Sequence, residues 1–247
     1  MKNKIFVIGD IHGQITMFKK LLEYWNSEEE QLLMIGDLGD RGEDPSACFE
    51  LAKDLMEKHN AICLRGNHEE MLLDFIKDPK NNAALYEMNG GMVTIDSFLK
   101  TDHTIYDAYE LSAALQSRVP WLKQFIETLP IKYEWGNVLF VHAGVNLTVD
   151  NWKNTSDNDF VWIREGFYDQ PNKTGKTIVF GHTVTAMLHE DHSNTSIWTT
   201  EDGKIGIDGG AVYGGALHGI VLDQEGIVKQ YSVDNTGYAF NDLLRKE

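Results

Sequence analysis

The segment Ile5-Phe6-Val7-Ile8-Gly9-Asp10-Ile11-His12-Gly13 decides the fold. Four consecutive apolar residues without alternation suit a strand buried on both faces, and the glycine-flanked Asp-x-His that follows is a tight turn carrying chemical groups. The same arrangement recurs four times. The apolar run 32–35 ends in Gly36-Asp37-Leu38-Gly39-Asp40-Arg41-Gly42, and the run 61–64 in Arg65-Gly66-Asn67-His68-Glu69. The run 138–141 ends in His142-Ala143-Gly144, and the run 178–180 in Gly181-His182-Thr183. Between the first three runs lie helical spacings. Residues 16–25 carry Phe18, Leu21, Leu22 and Trp25, and residues 46–58 carry Phe49, Leu51, Ala52, Leu55 and Met56. This β-α-β-α-β order predicts an α/β fold with parallel strands.

Further out the pattern changes. From Gly203 onward, apolar segments at 204–207, 217–222 and 227–232 are separated by Gly-rich turns, which predicts an antiparallel meander closing one side of the core. Residues 78–130 lack strand runs. They show helical spacing at 108–115 and 121–129 and a loop-like Asn89-Gly90-Gly91, and are expected to form a helical insertion, either a lid or a layer on the core. A length of 247 residues suits one domain spanning 1–247.

Composition narrows the function. Hydrophobic residues are 42% and charged residues 24%, which is globular rather than disordered. Lys+Arg total 22 against 38 Asp+Glu, a formal charge of -16, which excludes non-specific nucleic-acid binding and requires local positive charge for any anionic substrate. The two cysteines, Cys48 and Cys63, supply neither a disulfide framework nor a thiolate metal site and are expected to be buried. No apolar stretch approaches the roughly 18 residues of a membrane span, and the 5–8 run is too short for a signal-peptide core. The expectation is a cytoplasmic protein with no membrane partner.

Ligands in open α/β sheets bind beyond the carboxyl ends of the strands. Five strand ends therefore bring Asp10, His12, Asp37, Asn67, His142 and His182 to one edge. Carboxylate, imidazole and amide oxygen suit Mn²⁺, with Fe or Zn²⁺ as alternatives. Six groups exceed what one catalytic ion with open positions takes, so they divide: Asp10, His12 and Asp37 on one ion, Asn67, His142 and His182 on a second, with Asp37 bridging. A water bridging two such ions would be hydroxide near neutral pH. A lone strand-end Asp is ordinarily a helix cap, but five such motifs in order, each after an apolar run, are not explained that way.

The motifs GDIHG, GDLGDRG, LRGNHE, HAG and GHT resemble those of the calcineurin-like metallophosphoesterases, and within them the phosphoprotein phosphatase family of serine/threonine phosphatases, bacterial and phage type. The resemblance implies a four-layer fold: a central mixed β-sandwich flanked by helices, with a helical insertion. It supports the metal division above. It implies that His68 is the general acid on the leaving oxygen, that Asp40 orients it, and that Arg41, Arg65 and Arg164 clamp phosphate. A carboxylate beside an imidazole favours its donor form, and planar guanidinium suits phosphate oxygens. Gly39 and Glu43 depart from the family pattern at positions where larger apolar residues and proline are common. Residues 207–215 resemble a segment of the dinucleoside-tetraphosphate hydrolases and make Tyr213 a substrate contact.

The expected activity is metal-dependent hydrolysis of phosphate monoesters by metal-bound hydroxide on phosphoserine or phosphothreonine in proteins. The alternative is hydrolysis of dinucleoside tetraphosphates. A non-catalytic binding module is disfavoured, because every ligand, His68 and the arginines are present. His189-Glu190-Asp191-His192 is expected as a solvated loop, residues 209–215 as a hairpin turn, His218 as a residue without supporting neighbours, and Trp121, Phe125 and Tyr24 as core.

Overall fold

The computed structural model describes residues 2–100 and 107–235. Its first sheet has the order β10-β9-β1-β2-β3 and comprises β1 (Lys4–Ile8), β2 (Glu30–Met34), β3 (Ile62–Cys63), β9 (Ala216–Asp223) and β10 (Gly226–Asp234). The second has the order β4-β5-β6-β8-β7, with β4 (Lys132–Trp135), β5 (Val138–Val141), β6 (Thr177–Phe180), β7 (Trp198–Thr199) and β8 (Lys204–Gly206). Each sheet is mixed. Strands β1, β2 and β3 run parallel, with the antiparallel β9–β10 hairpin added beside β1. Strands β5, β6 and β8 run parallel, with antiparallel β4 and β7 at the edges.

The period-2 alternation of strands sorts the apolar side chains. Ile5, Val7, Leu33, Val138, Phe140, Val179 and Ile205 fill the space between the two sheets. Phe6, Ile8, Leu32 and Met34 point the other way, into a layer of helices. On the far side, Leu139, Val141, Ile178 and Phe180 pack on Val145, Phe160 and Phe167. The result is a β-sandwich with helices outside it, as the motif resemblance implied.

The helical layer on the first sheet contains α1 (Ile15–Leu22), α2 (Pro45–His59) and α3 (Asn67–Lys77). Helix α2 starts where its composition dictates: Asp44 caps it by accepting the Ala47 N–H at 3.1 Å, Pro45 occupies the first turn, and left-handed Asn60 ends it. Four more helices follow: α4 (Pro79–Met88), α5 (Gly91–Leu99), α6 (Ala108–Arg118) and α7 (Pro120–Thr128). Tyr86, Ile95, Leu99, Leu115, Leu122 and Ile126 are buried in the same cluster as Phe6 and Ile8, so this segment is a packed layer rather than a lid. The smaller α8 (Asp157–Trp162) covers the second sheet.

Two expectations are corrected. The meander after Gly203 is only the β9–β10 hairpin, because β8 leaves it to pair parallel with β6 in the opposite sheet. Tyr24 is 51% exposed, stacked on Tyr231 at 4.5 Å, whereas Phe125 is buried. Both cysteines are free and buried. Among the described residues, no helix is long and apolar enough to cross a membrane.

Candidate active site

Six parallel strands, three in each sheet, end at one place. Asp10 follows β1, Asp37 follows β2 and Asn67 opens α3 just beyond β3. His142, His182 and Asp208 follow β5, β6 and β8. Asp37 lies at the centre: Oδ2 is 3.4 Å from His12 Nε2 and Oδ1 is 3.4 Å from His142 Nε2. Asn67 Oδ1 lies 2.9 Å from His142 Nε2 and 3.0 Å from His182 Nδ1.

Each of these imidazoles is tied by its other nitrogen to a main-chain carbonyl. His12 Nδ1 bonds Gly39 O at 3.0 Å, His142 Nδ1 bonds Ile35 O at 3.0 Å, and His182 Nε2 bonds Trp162 O at 3.1 Å. A carbonyl only accepts, so the bonded nitrogen carries the proton and the inward nitrogen is the one that can ligate. Gly181 permits the approach of the two sheets, since a Cβ there would stand 2.0 Å from Asp10 Oδ1.

This donor set fits divalent cations. Among the described residues, two groups of donor atoms lie within 4.8 Å of one another, Asp10–Asp37–His142 and His12–Asp37–His68, and Asp37 belongs to both. Asp10 Oδ2 accepts the His182 N–H at 2.9 Å, but its Oδ1 is buried with no hydrogen-bond partner. An orphaned carboxylate oxygen in a desolvated volume is costly unless a cation takes it up.

The electrostatics point the same way. Burial, and then the charge of Asp208, push the Asp10 carboxyl well above the ordinary range. Burial works against charge on Asp37, but His142 and His68 override it and hold that carboxyl well below. Burial, with repulsion from His68 and His142 respectively, lowers His12 and His182 well below ordinary imidazole values, which leaves them neutral as ligands must be. His142 is the exception: burial opposes its charge too, yet Asp37, Asp10 and Glu69 lift it to about 10, so a cation binding there would have to displace the proton on its inward nitrogen. Burial brings Asp208 up to about 6.

A second corner of the cleft holds His68. Its Nδ1 lies 2.5 Å from Asp40 Oδ2. The other oxygen, Oδ1, accepts from the Tyr86 hydroxyl at 2.8 Å and the Thr94 hydroxyl at 2.5 Å. Arg41 reaches His12 Nε2 with Nη1 at 3.2 Å, and its guanidinium lies 5.4 Å from the centre of the Tyr213 ring. Arg164 donates from Nη1 to His182 O at 3.0 Å and Thr183 Oγ1 at 3.1 Å, and it lines the cleft rather than pairing with Glu165. The cleft encloses about 170 Å³, with Asn89, Trp162, Val184, Met187, Asp208 and Tyr213 completing its wall.

The structure does not bring Arg65 to this cleft. Its guanidinium donates to the carbonyls of Leu129 at 3.1 Å and Glu127 at 3.4 Å and approaches Glu70 Oε1 at 3.6 Å. The chain turns into α3 at Gly66, so the side chain before it faces the end of α7.

The left-handed non-glycine residues among the described ones are His12, Asp37, Asp40, Arg41 and His182, plus Asn60 and Lys100 at helix ends. Leaving aside glycines and the helix caps, left-handed backbone among the described residues gathers at the cleft, as expected where strain positions side chains. Glu69 sustains part of it: fully buried, it accepts the N–H groups of Asp37, Leu38 and Gly66, each at 2.8 Å. Burial and the nearby Asp37 push its carboxyl up to about 7.

Glu69, Tyr86, Asn89, Thr94 and Asp208 were not singled out from sequence. Glu69 had a signal, since it stands three residues after the Gly66 N-cap in capping-box position. Residues 209–215 are not a hairpin turn: a 3-10 turn over Ala211–Tyr213, flanked by left-handed Gly210 and Gly214, sets Tyr213 on the cleft. His218 has supporting neighbours, Ser232 Oγ at 2.8 Å and Thr195 O at 2.6 Å. His189 and His192 bond the Ser196 and Ala186 carbonyls and gather no metal-ligand set.

Two mixed sheets with carboxylates and imidazoles at their joined strand ends define a metal-dependent hydrolase architecture. Residues 3–207 match the calcineurin-like phosphoesterase family, and the chain belongs to that family of hydrolases. It is 29% identical over 221 residues to serine/threonine-protein phosphatase 1 of Salmonella typhimurium, covering 86% of this chain and 89% of the relative. It is 26% identical over 230 residues to an asymmetrical bis(5'-nucleosyl)-tetraphosphatase of Geobacillus sp., covering 87% and 88%. A crystal structure provisionally assigned as a diadenosine tetraphosphatase shares the fold with a TM-score of 0.64 at 19% identity, covering 96% of both chains.

Proposed function

We propose that the protein is a two-metal phosphomonoesterase acting on phosphoserine or phosphothreonine in proteins. The observation that carries this is the junction at Asp37, whose two oxygens face imidazoles of two separate donor groups while Asp10 Oδ1 lies buried and unpartnered. By the motif resemblance Asp10, His12 and Asp37 would hold one ion, and Asn67, His142 and His182 the other, although the donor atoms of Asp10 lie grouped with His142 and those of His12 with His68; Mn²⁺ is the ion whose ligand preferences the set matches best. Two bound ions would supply Lewis acidity toward phosphoryl oxygens and acidify a water at neutral pH.

The chain's own groups do the rest. Arg41 and Arg164 flank the donor cluster and hold phosphoryl oxygens, supplying the local positive charge that an acidic protein needs for an anionic substrate. In its acid form His68 carries protons on both nitrogens: Nδ1–H donates to Asp40, and the Nε2 proton goes to the leaving alkoxide oxygen. Asp40 accepts the Nδ1–H bond and thereby holds the ring with Nε2 free for the leaving oxygen. Arg65 has no part in phosphate binding; it ties the turn before Asn67 to the end of α7. No Ser or Cys is among the described cleft residues, and with Asp37, His12 and His182 given to the ions and His68 to proton transfer, water is the nucleophile this reading takes.

Dinucleoside tetraphosphate hydrolysis is the second reading, favoured by the Arg41–Tyr213 pair and Trp162 on the cleft wall, which offer flat surfaces for a base. A substrate panel in Mn²⁺ separates the two. A phosphoserine peptide should be hydrolysed with a kcat/KM at least about tenfold above that for diadenosine tetraphosphate. The reverse preference would replace the first reading with the second, and no hydrolysis of either would overturn both.

A further inference from the structure

We propose that Tyr86 and Thr94, on α4 and α5 of the helical insertion, are positioning residues that set the direction of proton donation by His68; this rests on the acid role given to His68 above. The two oxygens of Asp40 have separate duties. Oδ2 holds His68 Nδ1, and Oδ1 takes both hydroxyls. Thr94 Oγ1 also accepts the Asp40 main-chain N–H at 2.8 Å. A threonine hydroxyl has one proton and two lone pairs, so donating to the carboxylate and accepting from the amide are compatible. Thr94 thereby fastens Asp40 at its backbone and its side chain together.

That fastening matters because Asp40 and Arg41 have φ of 67° and 65°, a conformation that residues with a Cβ hold only when surroundings impose it. The insertion imposes it twice. Thr94 takes the Asp40 N–H, and Gly90 O takes the Arg41 N–H at 3.3 Å. Asp40, His68, Tyr86 and Thr94 are all buried, at 1, 4, 1 and 0% exposure, so water has little access to replace a lost donor. The Tyr86 ring is itself held by stacking on Phe75 of α3 at 5.5 Å. Gly39 makes the room: a Cβ there would stand 2.6 Å from the Phe49 ring and 3.1 Å from Thr94 Oγ1. The glycine at which the GDLGDRG motif departs from bulkier residues is thus matched to this threonine.

His142, His182 and Asp37 are anchored separately, by the carbonyls of Ile35 and Trp162 and by Glu69, whereas Gly39 O, which holds His12, belongs to the same peptide as the Asp40 N–H. Loosening Asp40 therefore misdirects the His68 imidazole first and leaves Asp37, His142 and His182 on their own anchors, with His12 the candidate ligand nearest the change. The defect belongs in kcat rather than KM, and it should be larger for an ester whose leaving oxygen is more basic.

The test uses the full chain with Mn²⁺, comparing Thr94→Val, Thr94→Ser, Tyr86→Phe and His68→Ala on a phosphoserine peptide and on p-nitrophenyl phosphate. Elemental analysis and thermal melting accompany the kinetics. Thr94→Val should lower kcat on the peptide about 10–100-fold and on the aryl ester less than about threefold, with KM and bound metal unchanged. Thr94→Ser should recover most of the loss, and Tyr86→Phe should show a smaller loss of the same kind. Equal losses on both esters, while His68→Ala keeps its dependence on the leaving group, would overturn the positioning role. Equal losses for His68→Ala itself would overturn the acid reading and the inference with it. If Thr94→Val does not fold, Tyr86→Phe and Thr94→Ser decide: losses in either that ignore the leaving group contradict the proposal.

Discussion

At the strand ends, each inward imidazole is steadied by a single main-chain carbonyl: Gly39 for His12, Ile35 for His142 and Trp162 for His182. A few ångströms away, His68 is steadied by a carboxylate that is in turn held by two hydroxyls from an inserted helical layer. The first kind of support comes from main chain beside the sheets: Ile35 follows β2, Gly39 lies in the loop beyond it, and Trp162 closes α8. The second depends on side chains distant in the chain, with Tyr86 and Thr94 standing 46 and 54 positions from Asp40. On the proposed reading, ion binding leans on main chain next to the strand ends, whereas proton delivery depends on side chains from the inserted helices.

Breaking the strand-end cluster should have the largest effect. Chelation should abolish hydrolysis and Mn²⁺ should restore it. Asp37→Asn should lower kcat by about 10³-fold or more, matching the several kcal/mol of charge stabilisation such ions supply, and should also reduce bound metal on elemental analysis. An Asp37→Asn protein with full metal content and near-parent kcat would show that Asp37 joins nothing.

Breaking the acid corner should leave the metal in place. His68→Ala is expected to lower kcat about 10²–10⁴-fold on a phosphoserine peptide, and much less on p-nitrophenyl phosphate, whose leaving group needs little protonation. KM should hold steady, because the leaving oxygen gains its charge only in the transition state. An equal kcat loss on the two esters would assign His68 to holding Asn67 rather than to proton transfer.

The contrast also explains what could be read from the chain alone. Asp10, Asp37, Asn67, His142 and His182 each lie within a few residues of an uninterrupted apolar run, so strand and chemistry are legible together. The parallel run of β8 beside β6 was not, because a three-residue strand carries no register signal and β8 joins the sheet opposite the β9–β10 hairpin that follows it in the chain. Tyr86 and Thr94 carry no motif; at helical spacing they are indistinguishable from packing residues, and only the fold places them on Asp40. Arg65 was misleading for a related reason. The motif resemblance implied a place in the cleft, but the turn into α3 sends the side chain to the end of α7.

The arginines sharpen the comparison on a smaller scale. Arg164→Ala should raise KM about tenfold, the worth of one charge-assisted contact to phosphate. Arg65→Ala should leave KM within about twofold and instead cost about 0.5–1.5 kcal/mol of stability in a denaturant melt, since it binds only protein carbonyls and Glu70. A large KM change from Arg65→Ala would mean that this side chain swings into the cleft with substrate.

The central claim, that the strand ends of two sheets build one two-ion site joined at Asp37, is met most directly by anomalous diffraction from crystals grown with Mn²⁺. The account predicts two peaks per chain, both in contact with Asp37, one beside Asp10 and His12 and the other beside Asn67, His142 and His182. A single peak away from Asp37, or none with these side chains unliganded, would contradict it.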